Sequence, residues 1–323
     1  MKKLYIGVDL GGTNVRSGLV DEDGNILAQD KRKSLPKVSA EAPLNQIVDS
    51  IKAVAGTVGV AFSDILGIGI GTPGPLSAKE GKILQAGNLP HWINYPLAAN
   101  VKERVGVDVY IQNDANVYAL GEWWKGSGRG YDDFFALTLG TGIGGGAICG
   151  GKLLTGFNDN ASEVGHMSID SNGYQCWCGQ KGCLELYSSA TGLVRMTNEA
   201  LINEHIRSPL TEYRGKGVEL NSKIIFDAAS AGDEFALGMF DKCGYILGLG
   251  IVNAQNILNF QRVAVGGGLS EAGDLILEPA KRALSERGFS SYNSQVSIVR
   301  AEVPDEAAVL GAAKMVIDME VSH

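Results

Sequence analysis

Basic residues are in deficit: 28 Lys and Arg against 36 Asp and Glu give a net charge of −8 over 323 residues. A chain this acidic offers no general nucleic-acid-binding surface, although a local basic patch stays open. Long apolar runs are missing too. None approaches the ~20 residues of a membrane span, and Met1-Lys2-Lys3 leads into a short strand interrupted by Asp9, too short for a signal-peptide core. These absences predict a cytoplasmic chain with neither a membrane nor a nucleic acid as partner. Cysteine is scarce: five residues cannot frame a disulfide scaffold of this length, and three of them crowd into eight positions. In a reducing compartment such crowding favours a metal over a disulfide. What remains, 45% apolar and 20% charged residues, is ordinary globular composition, enough to bury a core in about two domains.

Glycine is in excess. The 44 glycines are about twice what a usage of ~7% would give. They sit in short runs flanked by strands, as tight turns and close backbone approaches to a ligand do. Residues 4–20 read as strand, glycine turn, strand, and Ile26–Gln29 starts a third strand. Leu44, Ile47, Val48, Ile51 and Val54 mark one face of a helix. Leu66–Ile70 reads as a buried strand. Pro96 opens a helix that Gly106 closes. Val107–Gln112 is a strand ending at Asn113-Asp114-Ala115-Asn116, with a helix beyond. Residues 134–155 then repeat the opening strand–turn–strand arrangement, as a second copy of the hairpin leading a second α/β domain. Helices are predicted over 186–206, 221–230 and 233–256, strands over Arg262–Val265 and Val296–Ala301, and a C-terminal helix from Pro304.

Three glycine segments offer backbone N–H groups to a ligand. Asp9-Leu-Gly11-Gly12-Thr13-Asn14 lies between two strands. Its glycines let N–H groups reach phosphate oxygens, Thr13 adds a hydroxyl, and Asp9 can hold Mg²⁺ through water. Equally, it is a hairpin turn with an exposed acid. It is no Walker loop, lacking Gly-Lys-Ser/Thr, and no Rossmann fingerprint, because a strand follows it. Gly140-Thr141-Gly142 within Leu139–Gly146 forms a second cradle, and Gly266-Gly267-Gly268 a third approach that also reads as a strand-to-helix turn. Together the three favour a nucleotide. They resemble the two phosphate motifs and the adenosine motif of the actin-like ATPase fold, shared by actin and sugar kinases. That resemblance implies an α/β fold of two actin-like (ribonuclease H-like) lobes with an interlobe cleft. Residues 1–115, joined by the C-terminal helix 304–320, are expected to form the smaller lobe. Residues 116–303 are expected to form the larger lobe, with the cysteine loop and the adenosine motif.

Cys176-Trp-Cys178-Gly-Gln-Lys-Gly-Cys183 places three thiols on a tight loop, with His166 ten residues upstream. Three Cys and one His complete a closed, structural tetrahedral zinc site. The gap of one residue in Cys-x-Cys is tighter than the usual two, and a chance cluster of reduced thiols stays open. The segment from Glu163 to Glu185, Glu-x-Gly-His followed by Cys-x-Cys-Gly-x-x-Gly-Cys-x-Glu, resembles the signature of the ROK family (repressors, open reading frames and kinases), and the likeness runs from Asp9 to about Gly311.

Phosphoryl transfer to a sugar needs a base near the hydroxyl, a metal at the phosphates and exclusion of water. Asp114 follows a strand end, where it serves equally as base or as helix N-cap; the resemblance implies the base. It further implies sugar contacts from Asn88, Asn113, Asp114, Glu163, His166 and Glu185. His166 would bind zinc through one ring nitrogen and the sugar through the other. It implies ATP and Mg²⁺ at the glycine motifs and a homodimer or homotetramer. Glucose is the expected acceptor; fructose, N-acetylmannosamine and N-acetylglucosamine are the alternatives. ROK repressors carry a winged helix-turn-helix before the first glycine motif, and the eight residues before Asp9 hold none. Cys149 and Cys243 are expected as buried thiols, and His91, His205 and His323 as solvent or packing residues.

Overall fold

The computed structural model describes residues 2–202, 206–215, 217–289, 291 and 293–321; His205 and His323, and the end of the helix expected over 186–206, lie outside them. The chain opens with strands β1 (Leu4–Leu10), β2 (Asn14–Asp21) and β3 (Ile26–Lys33), helix α1 (Glu41–Val58) and strand β4 (Ile65–Thr72). Three short strands follow, β5 (Leu76–Ser77), β6 (Lys82–Gln85) and β7 (Ile93–Tyr95), then α2 (Leu97–Val105), β8 (Val109–Asn113) and α3 (Asp114–Lys125). Next come β9 (Phe134–Leu139), β10 (Ile143–Cys149) and β11 (Lys152–Leu153). Helices α4 (Glu185–Ser188), α5 (Ala190–Ala200), α6 (Leu210–Gly215), α7 (Ser222–Ser230) and α8 (Glu234–Leu258) precede β12 (Arg262–Gly266), α9 (Asp274–Arg287), β13 (Ser297–Arg300) and α10 (Ala307–Val321).

Two five-stranded sheets share one plan. The first runs β3-β2-β1-β4-β8 and the second β11-β10-β9-β12-β13. In the first, β1 pairs antiparallel with β2 and parallel with β4, which pairs parallel with β8. In the second, β9 and β12 pair parallel, as do β12 and β13. The repeated hairpin read from the sequence therefore leads a repeated sheet. Central strands such as β4 and β9 are buried almost throughout, so they read as apolar runs rather than alternating patterns.

Contacts divide the chain into two compact units: Met1–Asp132 with Gly146–Ser162 and Glu302–His323, and Asp133–Gly145 with Glu163–Ala301. In the first unit α1 buries Leu44, Ile47, Val48, Ile51 and Val54, the face its spacing predicted, and ends at Gly59 with φ 70°. Helix α10 lies so close to the sheet and to α3 that only glycine fits at the crossings. A Cβ at Gly7 or Gly69 would strike the carbonyls of Val309 or Ala312, and one at Gly121 that of Ala307. Glu122 of α3 is fully buried and accepts hydrogen bonds from Ser127 N at 3.0 Å and Oγ at 2.8 Å, from Glu302 N at 3.0 Å and from Val303 N at 2.7 Å. Four donors make up for the water that a buried carboxylate loses. The C-terminal helix starts at Ala307 rather than at Pro304, because residues 304–306 form turns, with Glu306 N on Val303 O.

In the second unit the helix expected over 186–206 is broken. Ser189 adopts extended backbone (φ −93°, ψ 171°), and its side chain caps α5 by accepting from Gly192 N. Helix α8 corrects the expectation that no apolar run is membrane-length, since by length and hydropathy it could cross a bilayer. It packs on α9, where Gly244 and Gly248 meet the carbonyls of Ile276 and Ala280; a buried core helix has the same composition as a span.

Candidate active site and metal cluster

In the first unit, the candidate residues gather at the C-terminal edge of the sheet. The register sets Asp9 of β1 beside Gly71 of β4, and Gly71 beside Gln112 of β8. Asp114 follows two residues later at the start of α3. The turn after β1 closes on itself through Gly11 N to Asn14 O at 2.9 Å, and Ser34 N holds Thr13 O at 3.0 Å. Gly12 has room for no side chain without pressing on Asn88, which brings the exposed Asn88 loop onto this turn. The cap of α3 is Asn113: its side chain accepts from Ala115 N at 2.9 Å and Asn116 N at 3.3 Å. Capping thus falls to Asn113, while one carboxylate oxygen of Asp114 accepts from Ala115 N at 2.9 Å.

The two acids are electrostatically linked. Burial, and then the charge of Asp114, push Asp9 up to about 6, partly offset by Arg16. Burial raises Asp114 as well, against the hydrogen bonds from the backbone N–H groups of Ala115 and of Asp114 itself. Arg16 was missed in the sequence. The signal was the hairpin register, which sets it directly opposite Asp9.

In the second unit the Gly140-Thr141-Gly142 turn joins β9 to β10, with Gly140 N bonded to Gly142 O at 3.0 Å. Gly267, at φ 84°, packs its backbone on Leu139 so closely that a Cβ would overlap it, which sets Gly266-Gly267-Gly268 against this turn. Glu163 begins the single turn that carries His166, whose N–H bonds Glu163 O at 3.0 Å. Glu185 opens α4; its Oε1 lies 3.6 Å from His166 Nδ1, and its Oε2 fills the space where a side chain on Gly142 would begin.

His166, Cys176, Cys178 and Cys183 offer one ligand atom each, all within 4.8 Å of one another. Cys178 Sγ lies 3.6 Å from Cys183 Sγ, and Cys176 Sγ 3.7 Å from His166 Nδ1. A tetrahedral ion with sulfur at ~2.3 Å requires S–S edges of roughly 3.8 Å, so the donor set fits one. Burial, then the neighbouring sulfurs, push the Cys183 thiol up to about 12. A dication at the centre would reverse that penalty and hold the sulfurs as thiolates. Nδ1 faces the sulfurs, so Nε2 is the ring nitrogen left for another partner.

The remaining cysteines, His91 and the tryptophans lie in different surroundings. Cys243 is fully buried, as expected, but Cys149 is only half-buried. His91 is exposed. Trp92 is a core residue, stacked on Tyr95 at 4.3 Å, with its indole N–H on Ala40 O at 2.8 Å. Trp123 donates to Tyr131 O at 2.7 Å.

Comparison with known proteins agrees with this arrangement. The glucokinase of Thermotoga maritima is 37% identical over 317 residues, 98% of each chain. The crystal structure of a ROK family glucokinase from Streptomyces griseus, in complex with glucose and AMPPNP, is 33% identical; it superposes with a TM-score of 0.78 over 97% of this chain and 98% of that one. The ROK hexokinase of Thermus thermophilus is 27% identical, with a TM-score of 0.80 over 99% of both chains. Residues 5–319 match the ROK family, and with both glycine hairpins and the Glu163–Glu185 segment in place, the chain belongs to that family.

Proposed function

We propose that the protein is a cytoplasmic ATP-dependent hexokinase that converts glucose to glucose 6-phosphate. The observation that carries this reading is Asp114: a carboxylate with a raised pKa, held by backbone N–H at the start of α3, with Asp9 alongside. A carboxylate with a raised pKa takes a hydroxyl proton more readily than an ordinary one.

In the proposed reaction the sugar oxygen attacks the γ-phosphorus of ATP. A new O–P bond forms, the bridging P–O bond to ADP breaks, and the hydroxyl proton passes to Asp114. Asn88, Asn113, Glu163, His166 and Glu185 would bond the sugar hydroxyls. His166 suits two tasks, with Nδ1 toward the cysteines and Nε2 toward the sugar. The N–H groups of Gly11, Gly12, Thr13 and Asn14, and of Gly140, Thr141 and Gly142, would cradle the phosphates. Gly266, Gly267 and Gly268 would meet the adenosine. Asp9 would hold Mg²⁺ through water, and when bound that ion neutralises developing phosphate charge. The His166, Cys176, Cys178 and Cys183 cluster would hold a structural zinc that fixes His166 and the loop leading to Glu185. The catalytic unit would be a homodimer or homotetramer.

Glucose is favoured by the glucokinase relatives. The test is a panel of glucose, fructose, mannose, N-acetylmannosamine and N-acetylglucosamine with ATP, read as kcat/KM. We expect glucose to lead by at least about tenfold, because a site that bonds each hydroxyl penalises a displaced one. A lead for either amino sugar would overturn the glucose assignment, and no turnover of any hexose would overturn the kinase reading.

A further inference from the structure

Trp177 stands on the cysteine loop with 80% of its surface exposed, an unusual place for a tryptophan. Its orientation is nonetheless fixed twice. The indole N–H points at Glu185 Oε1, 3.0 Å away. The ring meets His166 edge-on, with centroids 4.9 Å apart and planes at 83°. The same Glu185 oxygen is 3.6 Å from both Cys176 Sγ and His166 Nδ1, so the indole makes the shorter contact. The other oxygen, Oε2, rests against Gly142. The carboxylate therefore sits between an indole donor on one side and the glycine turn on the other.

We infer that Trp177 is a positioning residue, whose indole N–H aims the Glu185 carboxylate at the sugar and so sets sugar affinity. The inference rests on the proposed role of Glu185 at a sugar hydroxyl. A short carboxylate side chain has three free torsions; a fixed donor at one oxygen leaves the other lone pairs facing one direction. A hydrogen bond to a charged acceptor is the strong kind. Because the ring buries little surface, its removal costs little fold stability, which separates positioning from packing.

The experiment uses the full-length, metal-loaded chain and two variants. Trp177→Phe keeps a ring beside His166 and deletes the N–H. Trp177→Gln deletes the ring and keeps an N–H donor the same number of bonds from Cβ. We expect Trp177→Phe to raise the glucose KM about tenfold, with kcat and the ATP KM within about twofold, the size expected for a lost bond to a charged group. Trp177→Gln should hold the glucose KM within about threefold of wild type. Metal content should stay at the wild-type level in both, and Tm within about 2 °C. Intrinsic fluorescence gives a readout independent of turnover: the glucose-induced emission change of the wild type should be lost in Trp177→Phe.

A glucose KM for Trp177→Phe within twofold of wild type overturns the inference. So does equal impairment of both variants with loss of metal, since Trp177 would then only pack the loop. A metal-loaded wild type that phosphorylates no hexose overturns the sugar-kinase reading, and the inference with it, before any variant is made; normal wild-type turnover with an unaltered Trp177→Phe overturns the inference alone.

Discussion

The two glycine hairpins stand on the same strand order yet are held in different ways. Both close on their own backbone, through Gly11 N on Asn14 O and Gly140 N on Gly142 O, but the first, after β1, is flanked by acids: Asp9 within its strand and Asp114 at the neighbouring helix start. The second, after β9, carries no acid. It is braced from outside by Ala190 N on Gly140 O, Thr191 Oγ1 on Thr141 O and Glu185 against Gly142. A duplicated frame thus has one copy equipped with charge and the other with scaffolding. Copies of a fold diverge in their sites while the strand order persists.

If that division holds, damage to the two sets will differ in kind. The largest effect belongs to the acidic set. Asp114→Ala should keep the fold and lower kcat about 10³-fold, roughly 4 kcal/mol of barrier. Steady-state kinetics with circular dichroism on the same sample check it, and near-wild-type kcat would remove Asp114 from the chemistry. In the scaffold set, Cys178→Ser should cost stability and sugar affinity together. Elemental analysis should find about one zinc per wild-type chain and little in the variant. The glucose KM should rise roughly 10–100-fold as His166 and Glu185 lose their support, and an unchanged melting temperature would break the comparison.

The frame was legible in the sequence where periodicity is strong. The i, i+3, i+4 face of α1, the caps at Pro96 and Gly106, and both hairpins follow from local pattern. The sheet β5-β6-β7 was not legible, because strands of two to four residues carry too few alternations. Ser189 also escaped: between Leu186 and Leu193 it resembles an ordinary helical serine until its φ and ψ are known. Among site residues, the Glu163–Glu185 motif singled out His166, Cys176, Cys178 and Cys183, whose donor atoms do come together. It could not show which way Trp177 points or that Arg16 faces Asp9, since both depend on partners across a turn. Asn113 and Asp114 show the limit of local reading. Either can cap α3, and only the observed bonds from Ala115 and Asn116 assign that role to Asn113.

The acidic hairpin should also carry the enzyme's pH response. Asp9 is raised from its ordinary value of 3.8 to about 6. The ionised form, able to hold a metal, is present above that value and is lost as pH falls through it. For the free enzyme, reported by kcat/KM for ATP, activity should fall about tenfold per pH unit below about 6. Asp9→Asn should remove the share of that limb due to Asp9, leaving the share set by the buried base Asp114, and lower activity across the range. A wild-type profile flat to pH 5 would show that Asp9 stays ionised, and so that Arg16 outweighs both burial and Asp114.

The smallest effect tests the bracing itself. Thr191 is exposed, and its hydroxyl reaches the Thr141 carbonyl and lies 3.0 Å from Ser189 Oγ. Thr191→Val keeps the shape and deletes these bonds. Ala190 N still holds Gly140 O at 2.9 Å, so the turn loosens at one of its braces rather than coming free. A neutral hydrogen bond of about 1 kcal/mol corresponds to a rise of roughly fivefold in the ATP KM. The glucose KM should not move, because Glu185 keeps both Trp177 and Gly142 as neighbours. An unchanged ATP KM would mean that the second hairpin, like the first, holds its own shape. Equal rises in both KM values would mean that the segment 185–191 moves as a single body, so that the turn and the Glu185 carboxylate cannot be loosened separately.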